Sequence, residues 1–203
     1  MIYPKSLEKL ILYFKKLPGV GEKSAERLAL SVLNFSSDDI ESFANSIKDI
    51  KKNLQKCTIC HALTEESICG ICTSKYRKQN TICVVEDYKS VFLFEKIGNY
   101  EGAYHVLGGL ISPIDGINPD DINILSLVAR CEKQEDVEVI IALTPTLEGE
   151  ATTMYITQVL KNKNIKVTRL SYGIPMGAEI DYLDALTLER ALNDRQTILE
   201  KVE

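Results

Sequence analysis

Residues 57–72 read Cys57-Thr-Ile-Cys60-His61-Ala-Leu-Thr-Glu-Glu-Ser-Ile-Cys69-Gly70-Ile-Cys72, and this stretch divides the chain into two kinds of sequence. Two Cys-x-x-Cys pairs stand eight residues apart. Each two-residue gap lets both sulfurs of a pair turn toward one ion, and Gly70 eases the tight turn of the second pair. Eight intervening residues suit a short hairpin that returns the second knuckle to the first. Four thiolates so spaced make a closed tetrahedral shell for zinc, with Zn–S distances of about 2.3 Å and no open position for water. The expected cofactor is one structural Zn2+ held by Cys57, Cys60, Cys69 and Cys72. Disulfides are not expected to persist in a cytosolic protein; a thioredoxin-like redox pair and simple buried thiols are the competing readings of the spacing. His61 could in principle serve as a ligand, although four sulfurs already fill the shell. Cys83 and Cys131, the other two of six cysteines, have no partner spacing and read as packed thiols.

Upstream of this stretch the pattern is helical. Leu7, Leu10, Ile11 and Phe14 recur at the spacing of one helix face. Leu17-Pro18-Gly19-Val20-Gly21 breaks that helix, and a second is predicted over 22–33 with Ala25, Leu28, Ala29 and Val32 inward. Gly-Val-Gly between two short helices permits a sharp hairpin and leaves backbone N–H groups open at the second helix's N-terminus. Such a terminus attracts phosphate through its unpaired donors and the helix dipole. Lys23 and Arg27 lie four apart on one face beside the turn. Gly19, Gly21, Lys23 and Arg27 are therefore the candidate DNA-binding residues of a helix-hairpin-helix, which grips the backbone without reading bases. The competing reading is an αα-corner whose glycines serve only the turn. Gly21-Glu22-Lys23-Ser24 is not a nucleotide-binding loop, because Gly and Lys are not adjacent and no strand precedes them. A third helix follows, with Ser37 as the expected cap and Ile40, Phe43, Ala44, Ile47, Ile50 and Leu54 on its buried side.

Downstream, strands and helices alternate. Strands are predicted over 81–86, 103–107, 137–143 and 165–170. Helices are predicted from a cap at Asp87 to Ile97, from Pro119 to Arg130, over 152–160 and over 184–193. The alternation implies a mainly parallel sheet covered on both faces, with ligand or catalytic groups at the carboxyl ends of strands. Glu86 ends the first strand, and Glu148-Gly149-Glu150 follows the third. Carboxylates so placed could hold Mg2+; they are also common as helix-capping or solvated groups. The remainder, 171–203, joins a Gly/Pro-rich stretch (Tyr172-Gly-Ile-Pro-Met-Gly177) to the last helix.

Composition narrows the classes further. The 203 residues are 45% hydrophobic and 26% charged, an ordinary globular balance that excludes a disordered chain, a collagen-like fibre and a coiled-coil rod. The longest apolar runs, Leu10–Phe14 and Val139–Leu143, are five residues long, against about 20 for a membrane span. Lys9, Lys15 and Lys16 interrupt the apolar stretch near the start, so no secretory leader is expected and the expected location is the cytoplasm. The net charge of −5 hides a gradient: residues 1–80 hold 13 Lys and Arg against 9 Asp and Glu, net +4, whereas 81–203 hold 11 against 20, net −9. Such a split suggests that the halves do different jobs.

Taken in order, LPGVGEKSAERLAL, the four-cysteine module, the domain starting CVVE, LTPTLEGEAT and SYGIPMGAEIDYLDALTLERAL closely resemble the bacterial RecR family of recombination mediators. The resemblance covers essentially the whole chain. It implies an α/β fold with an all-α N-terminal region: a helix-hairpin-helix DNA-binding region (1–55), a four-cysteine zinc finger (56–79), a Toprim-like domain (80–175) and a C-terminal segment for oligomerisation (176–203). It further implies sequence-independent DNA binding, partnership with RecO and RecF in loading recombinase on gapped single-stranded DNA, and a ring-like homotetramer. In catalytic Toprim domains a strand-end Glu works with an Asp-x-Asp pair. Here Glu86 matches the first element, while Thr144-Pro145-Thr146 stands where the aspartates would be. The expected protein is therefore a scaffold rather than an enzyme, with Glu86, Glu148 and Glu150 forming an acidic patch for a basic partner, RecO. The alternative is a Mg-dependent Toprim nuclease or topoisomerase-like enzyme using the same three carboxylates. Against it, Thr144 and Thr146 leave too few carboxylates for metal-assisted displacement, and no nucleophilic Tyr is identifiable among nine.

Overall fold

The computed structural model describes residues 3–171 and 173–195; Tyr172 of the Gly/Pro-rich stretch and residues 196–203 of the C-terminal segment lie outside them. The chain forms two compact units, Met1–Leu54 and Gln55–Glu203.

The first unit is helical. Helix α1 spans Lys5–Lys15 and α2 spans Glu22–Ser31. A 3-10 turn over Val32–Asn34 continues α2, and α3 spans Ser37–Asn53. The α1–α2 contact is built on small residues: Ala25 and Ala29 are fully buried against Ile11, with Leu7, Leu10, Phe14 and Val20 packed around them. Alanines four apart keep one face of α2 flat, which lets α1 approach. Three sequence expectations need correction here. Leu28 lies to the side of the alanine stripe and is exposed. The cap of α3 is Ser36, whose Oγ accepts from Asp39 N at 3.1 Å; Ser37 is the first helical residue. The apolar stripe of α3 is not buried either, since Ile40, Phe43, Ile47, Ile50 and Leu54 are all exposed. The periodicity marks an amphipathic face that the small α1–α2 core leaves open.

In the second unit, a two-stranded antiparallel pair, β1 (Gln55–Lys56) and β2 (Leu63–Thr64), flanks the first Cys-x-x-Cys, so the hairpin encloses one knuckle rather than joining the two. A short helix α4, Gly70–Thr73, carries the second. Then β3 (Lys78–Val85), α5 (Tyr88–Ile97), β4 (Gly102–Val106), α6 (Ile124–Cys131), β5 (Glu138–Ala142), α7 (Leu147–Leu160) and β6 (Lys166–Arg169) follow, and α8 (Ala185–Asn193) ends the described chain. The four main strands lie in the order β4-β3-β5-β6, all parallel. Successive residues of β3 point to opposite faces. Ile82 and Val84 pack with Ile124, Leu127, Ile156 and Leu160 of α6 and α7. Cys83 and Val85 pack with Val91 of α5, Tyr104 and Val106 of β4, and Cys57, Cys60 and Cys69. One face of the sheet is thus covered by helices, and the other partly by the cysteine knuckles themselves.

Two helix starts differ from expectation, each for a local reason. Pro119 opens a 3-10 turn, not α6. Asn123 is tied to the end of β4 by its backbone N–H to Leu107 O (2.9 Å) and its Nδ2 to Val106 O (3.0 Å), which stops one continuous helix from forming across it. Helix α7 starts at Leu147, five residues before the predicted 152, because Thr146 Oγ1 caps it by accepting from Gly149 N at 3.2 Å. Gly149 has a steric role: a Cβ there would sit 1.9 Å from the Thr144 carbonyl oxygen.

Candidate metal centre and nucleic-acid interface

The four cysteines converge. Their Sγ atoms all lie within 4.8 Å of one another, and Cys60 and Cys69 Sγ are 3.5 Å apart. A tetrahedral zinc with four Zn–S bonds of about 2.3 Å sets sulfurs about 3.8 Å apart, so the cluster has the right size. The local backbone prepares it. Cys69 N–H donates to Cys57 Sγ at 3.3 Å, and Cys57 N–H donates to Ala62 O at 2.8 Å. The left-handed residue of the knuckle is His61, with φ 60, and Gly70 has ordinary backbone, so the tight turn falls on a different residue from the one expected. His61 is not a ligand: its Nε2 bonds Ser126 Oγ at 2.9 Å on α6. The thiols also oppose one another electrostatically. The hydrogen bond with Cys69 pushes Cys60 up to about 12. Contact with Cys60 and Cys69 pushes Cys72 well above an ordinary thiol, whereas Cys69 is held far below one, chiefly by Cys60. Crowding around Cys69 thus opposes ionisation of Cys60 and Cys72, and four ionised sulfurs would call for a cation among them. The donor set fits a metal site. Cys83 and Cys131 are buried thiols that desolvation pushes up, to about 12 and about 11.

At the hairpin, Val20 N–H donates to Leu17 O at 3.1 Å and Gly19 has φ +77, a left-handed conformation that disfavours a side chain. Gly21 is different. It is the N-cap of α2 with φ −77 and ψ 175, and a Cβ added there would meet nothing within 4 Å. Neither its backbone nor its surroundings require glycine. No side chain supplies a cap hydrogen bond at this terminus, so its N–H groups stay available. Lys23 and Arg27 are exposed in the first two turns, while Glu22 pairs with Lys15 at 3.5 Å.

The strand-end carboxylates do not gather. Thr144, just past the end of β5, donates its hydroxyl to Glu86 Oε2 at 3.1 Å. The β3–β5 ladder ends with Val85 opposite Ala142, which brings the residues just beyond it together, so Glu86 meets a neutral hydroxyl there rather than a second carboxylate. Thr146 is used as the cap of α7. Glu148 and Glu150 lie in the first turn of that helix rather than in a loop. Glu150 turns toward the C-terminal segment, where it meets Arg190 Nη1 of α8 at 3.4 Å and Arg169 Nη1 of β6 at 3.8 Å. Arg169 also reaches Asp194 at 3.9 Å. Among the described residues, Glu86, Glu148 and Glu150 do not join in a group that could hold a metal ion; the four cysteines are the group that could. Sequence reading missed Arg169 and Arg190, since nothing in their spacing ties them to a glutamate 19 and 40 residues away. No helix of the described residues is long and apolar enough to cross a membrane.

Comparison with known proteins agrees with this geometry. Family models match in order along the chain: the RecR helix-hairpin-helix over residues 7–51, the RecR four-cysteine zinc finger domain over 54–74, the Toprim domain over 80–171 and the RecR C-terminal region over 173–196. Proteins named "Recombination protein RecR" from Staphylococcus aureus strains Mu3, MRSA252 and Newman are each 48% identical over 195 residues, covering 96% of this chain and 98% of the relative. With a helical hairpin, a four-sulfur cluster and a parallel Toprim sheet in that sequence order, the chain belongs to the RecR family.

Proposed function

We propose that this protein is a non-enzymatic, DNA-binding recombination mediator of the cytoplasm. It would act with RecO and RecF to load recombinase on single-stranded DNA in gap repair. The observation that carries the reading is Gly21, a glycine that the fold does not need, at an open helix N-terminus beside Lys23 and Arg27. A missing side chain there lets a phosphate reach the backbone N–H groups, and the two cations add charge without base readout. The relatives' name supports the recombination role.

The remaining assignments complete this reading. One Zn2+ per chain, held by Cys57, Cys60, Cys69 and Cys72, would supply structural stability and no chemistry. Regions 1–55, 56–79 and 80–175 would serve DNA binding, metal and partner docking, and 176–203 would join copies into a homotetramer. A hairpin contributes two or three phosphate contacts at most, so several hairpins around one duplex would multiply affinity through effective concentration. Glu86 and Glu148 would present acid to a basic partner such as RecO. A partner reaching Glu150 would have to compete with Arg169 and Arg190. Because Thr144 replaces a carboxylate beside Glu86, no strand cleavage or joining is expected.

The test is DNA binding as a function of salt. Each phosphate that is no longer neutralised should flatten the slope of log K against log salt by about 0.9 on duplex DNA. The Lys23→Ala/Arg27→Ala double variant should bind more weakly with a flatter slope, and wild-type binding by that variant at matched salt would reduce the hairpin to an αα-corner. In parallel, Mg2+-dependent plasmid nicking that disappears in Glu86→Gln would establish the enzymatic alternative.

A further inference from the structure

One of the four sulfur ligands is not sealed in. Cys57, Cys60 and Cys69 are buried, whereas Cys72 is partly exposed, and Cys72 lines a cavity of about 460 Å³ in the second unit. Thr58 and Ile59 of the first knuckle, Gln79 of β3 and Ala129 of α6 share that cavity. Arg130, 8% exposed, steadies the α6 wall through its Nη1, which donates to Tyr104 O at 2.6 Å. A metal-bound thiol is deprotonated outright, and a thiolate that small molecules can reach is the form that hydroperoxides oxidise. Cys83 and Cys131, by contrast, are buried thiols outside the cluster.

A second sulfur stands beside it. Cys69 is the N-cap of α4 and Cys72 its third residue, the two-residue gap of thiol–disulfide pairs, and their Sγ atoms lie within 4.8 Å of each other. We propose that Cys72 is an oxidation site for hydroperoxides, and that its oxidation closes a Cys69–Cys72 disulfide and dismantles the metal site. The Cys72 thiolate attacks one peroxide oxygen: an S–O bond forms, the O–O bond breaks, and the departing alkoxide or hydroxide takes a proton from water. The Cys69 thiolate then attacks the sulfenic sulfur, an S–S bond forms and hydroxide leaves. The two sulfurs lose two electrons and the peroxide gains them. With two of four ligands tied up in a disulfide, the ion is released. Cys57 and Cys60, which pack with Val85, Tyr104 and Val106, then lose the tie that holds them to the second knuckle. A dithiol reductant together with zinc reverses the change. This role for Cys72 rests on the zinc reading of the cluster, and the two can fail separately.

Full-length protein purified without chelator is assayed for zinc, then treated with hydrogen peroxide, with and without dimedone to trap sulfenic acids. A chromophoric indicator reads released zinc, and peptide mass spectrometry locates adducts and disulfides. Cys72 should carry the earliest dimedone adduct. Without dimedone a Cys69–Cys72 disulfide should form, one zinc should leave per disulfide, and dithiothreitol with added zinc should restore the metal. Ala129→Leu adds bulk to the cavity wall from an exposed position on α6, and it should slow Cys72 labelling several-fold with zinc content and melting unchanged. The proposal is overturned by a first adduct on any other cysteine, by zinc that stays bound while Cys72 is oxidised, or by a folded Ala129→Leu protein labelled as fast as the parent. If that variant does not fold, the order of labelling in the parent decides. Protein that holds no zinc before peroxide counts against the zinc reading alone, and the order of labelling and the disulfide still decide the role of Cys72.

Discussion

The pairing of Thr144 with Glu86 makes a sharp prediction for Thr144→Asp. The Thr144 hydroxyl lies 3.1 Å from Glu86 Oε2, so a carboxylate at 144 would face that of Glu86 at about 4 Å. At that separation two like charges repel by about 1 kcal/mol in water and about 4 kcal/mol at the effective dielectric of a protein surface. Thr144 is exposed and Glu86 half-buried, which places the cost near the lower end, about 1–2 kcal/mol with the lost hydrogen bond included. For a unit of this size each kcal/mol lowers Tm by about 2–4 °C, so the variant should melt about 2–8 °C below the parent at neutral pH and low salt. Two treatments should reverse the loss. Lowering the pH protonates one carboxylate, and millimolar Mg2+ bridges the pair. Thermal melts of parent and variant, with and without Mg2+ and at two pH values, measure this. A variant that melts like the parent and ignores Mg2+ would show that Thr144 does not occupy a metal-ligand position, and the case against Toprim chemistry from a missing carboxylate would collapse.

Three further outcomes are expected. Cys57→Ser should lose the metal, and because Cys57 shares a core with Val85, Tyr104 and Val106, hydrogen exchange should rise across β3 and β4 as well as in the knuckles. Gly21→Ala should leave the helical content unchanged, since its Cβ meets nothing, at a capping cost of about 0.5–1 kcal/mol, while duplex affinity falls at matched salt. His105, fully buried with Nε2 2.8 Å from Asn123 O, is pushed down to about 3 by burial. The unfolded chain then binds its proton first, so stability is complete above about pH 6.5 and falls as pH drops toward 3, by about 2 kcal/mol at pH 5. Chemical denaturation of His105→Gln and parent, both zinc-loaded, from pH 7 to 5 should show a shallower decline in the variant.

Much of this architecture was legible because local and global signals agree. The second half of β3 and the whole of β4 are buried, and Asp87 caps α5 as its side chain suggests, accepting from Lys89 and Ser90 N–H. The cysteine spacing located the cluster without help from any other part of the chain. What escaped depends on approach in space. Gly149 falls before the predicted start of α7, and only the fold sets the Thr144 carbonyl against it. Asn123 looks like mid-helix until it is found bonded to β4. The stripe on α3 has the periodicity of a core, but periodicity reports that a face is apolar, not what covers it. Glu150 reads as a free surface acid, and only the fold brings Arg169 and Arg190 to it. Arg130 carried no sequence signal, because an arginine in an amphipathic helix is ordinary until its burial is known.

The sharing of one core by the cysteine knuckles and the sheet has a consequence for how such a chain can be cut and reassembled. Along the sequence the zinc-finger match ends at 74 and the Toprim match begins at 80, which invites treating the two as interchangeable cassettes. The packing forbids it. Cys83, Val85, Tyr104 and Val106 lose their cover when the knuckles are removed, and the bond from Val106 N–H to Cys60 O at 2.8 Å goes with it. A Toprim fragment severed near residue 80 would present bare apolar surface on one face of its sheet and tend to self-associate. Grafting this domain onto another scaffold, or borrowing one for it, means carrying the four-cysteine module along.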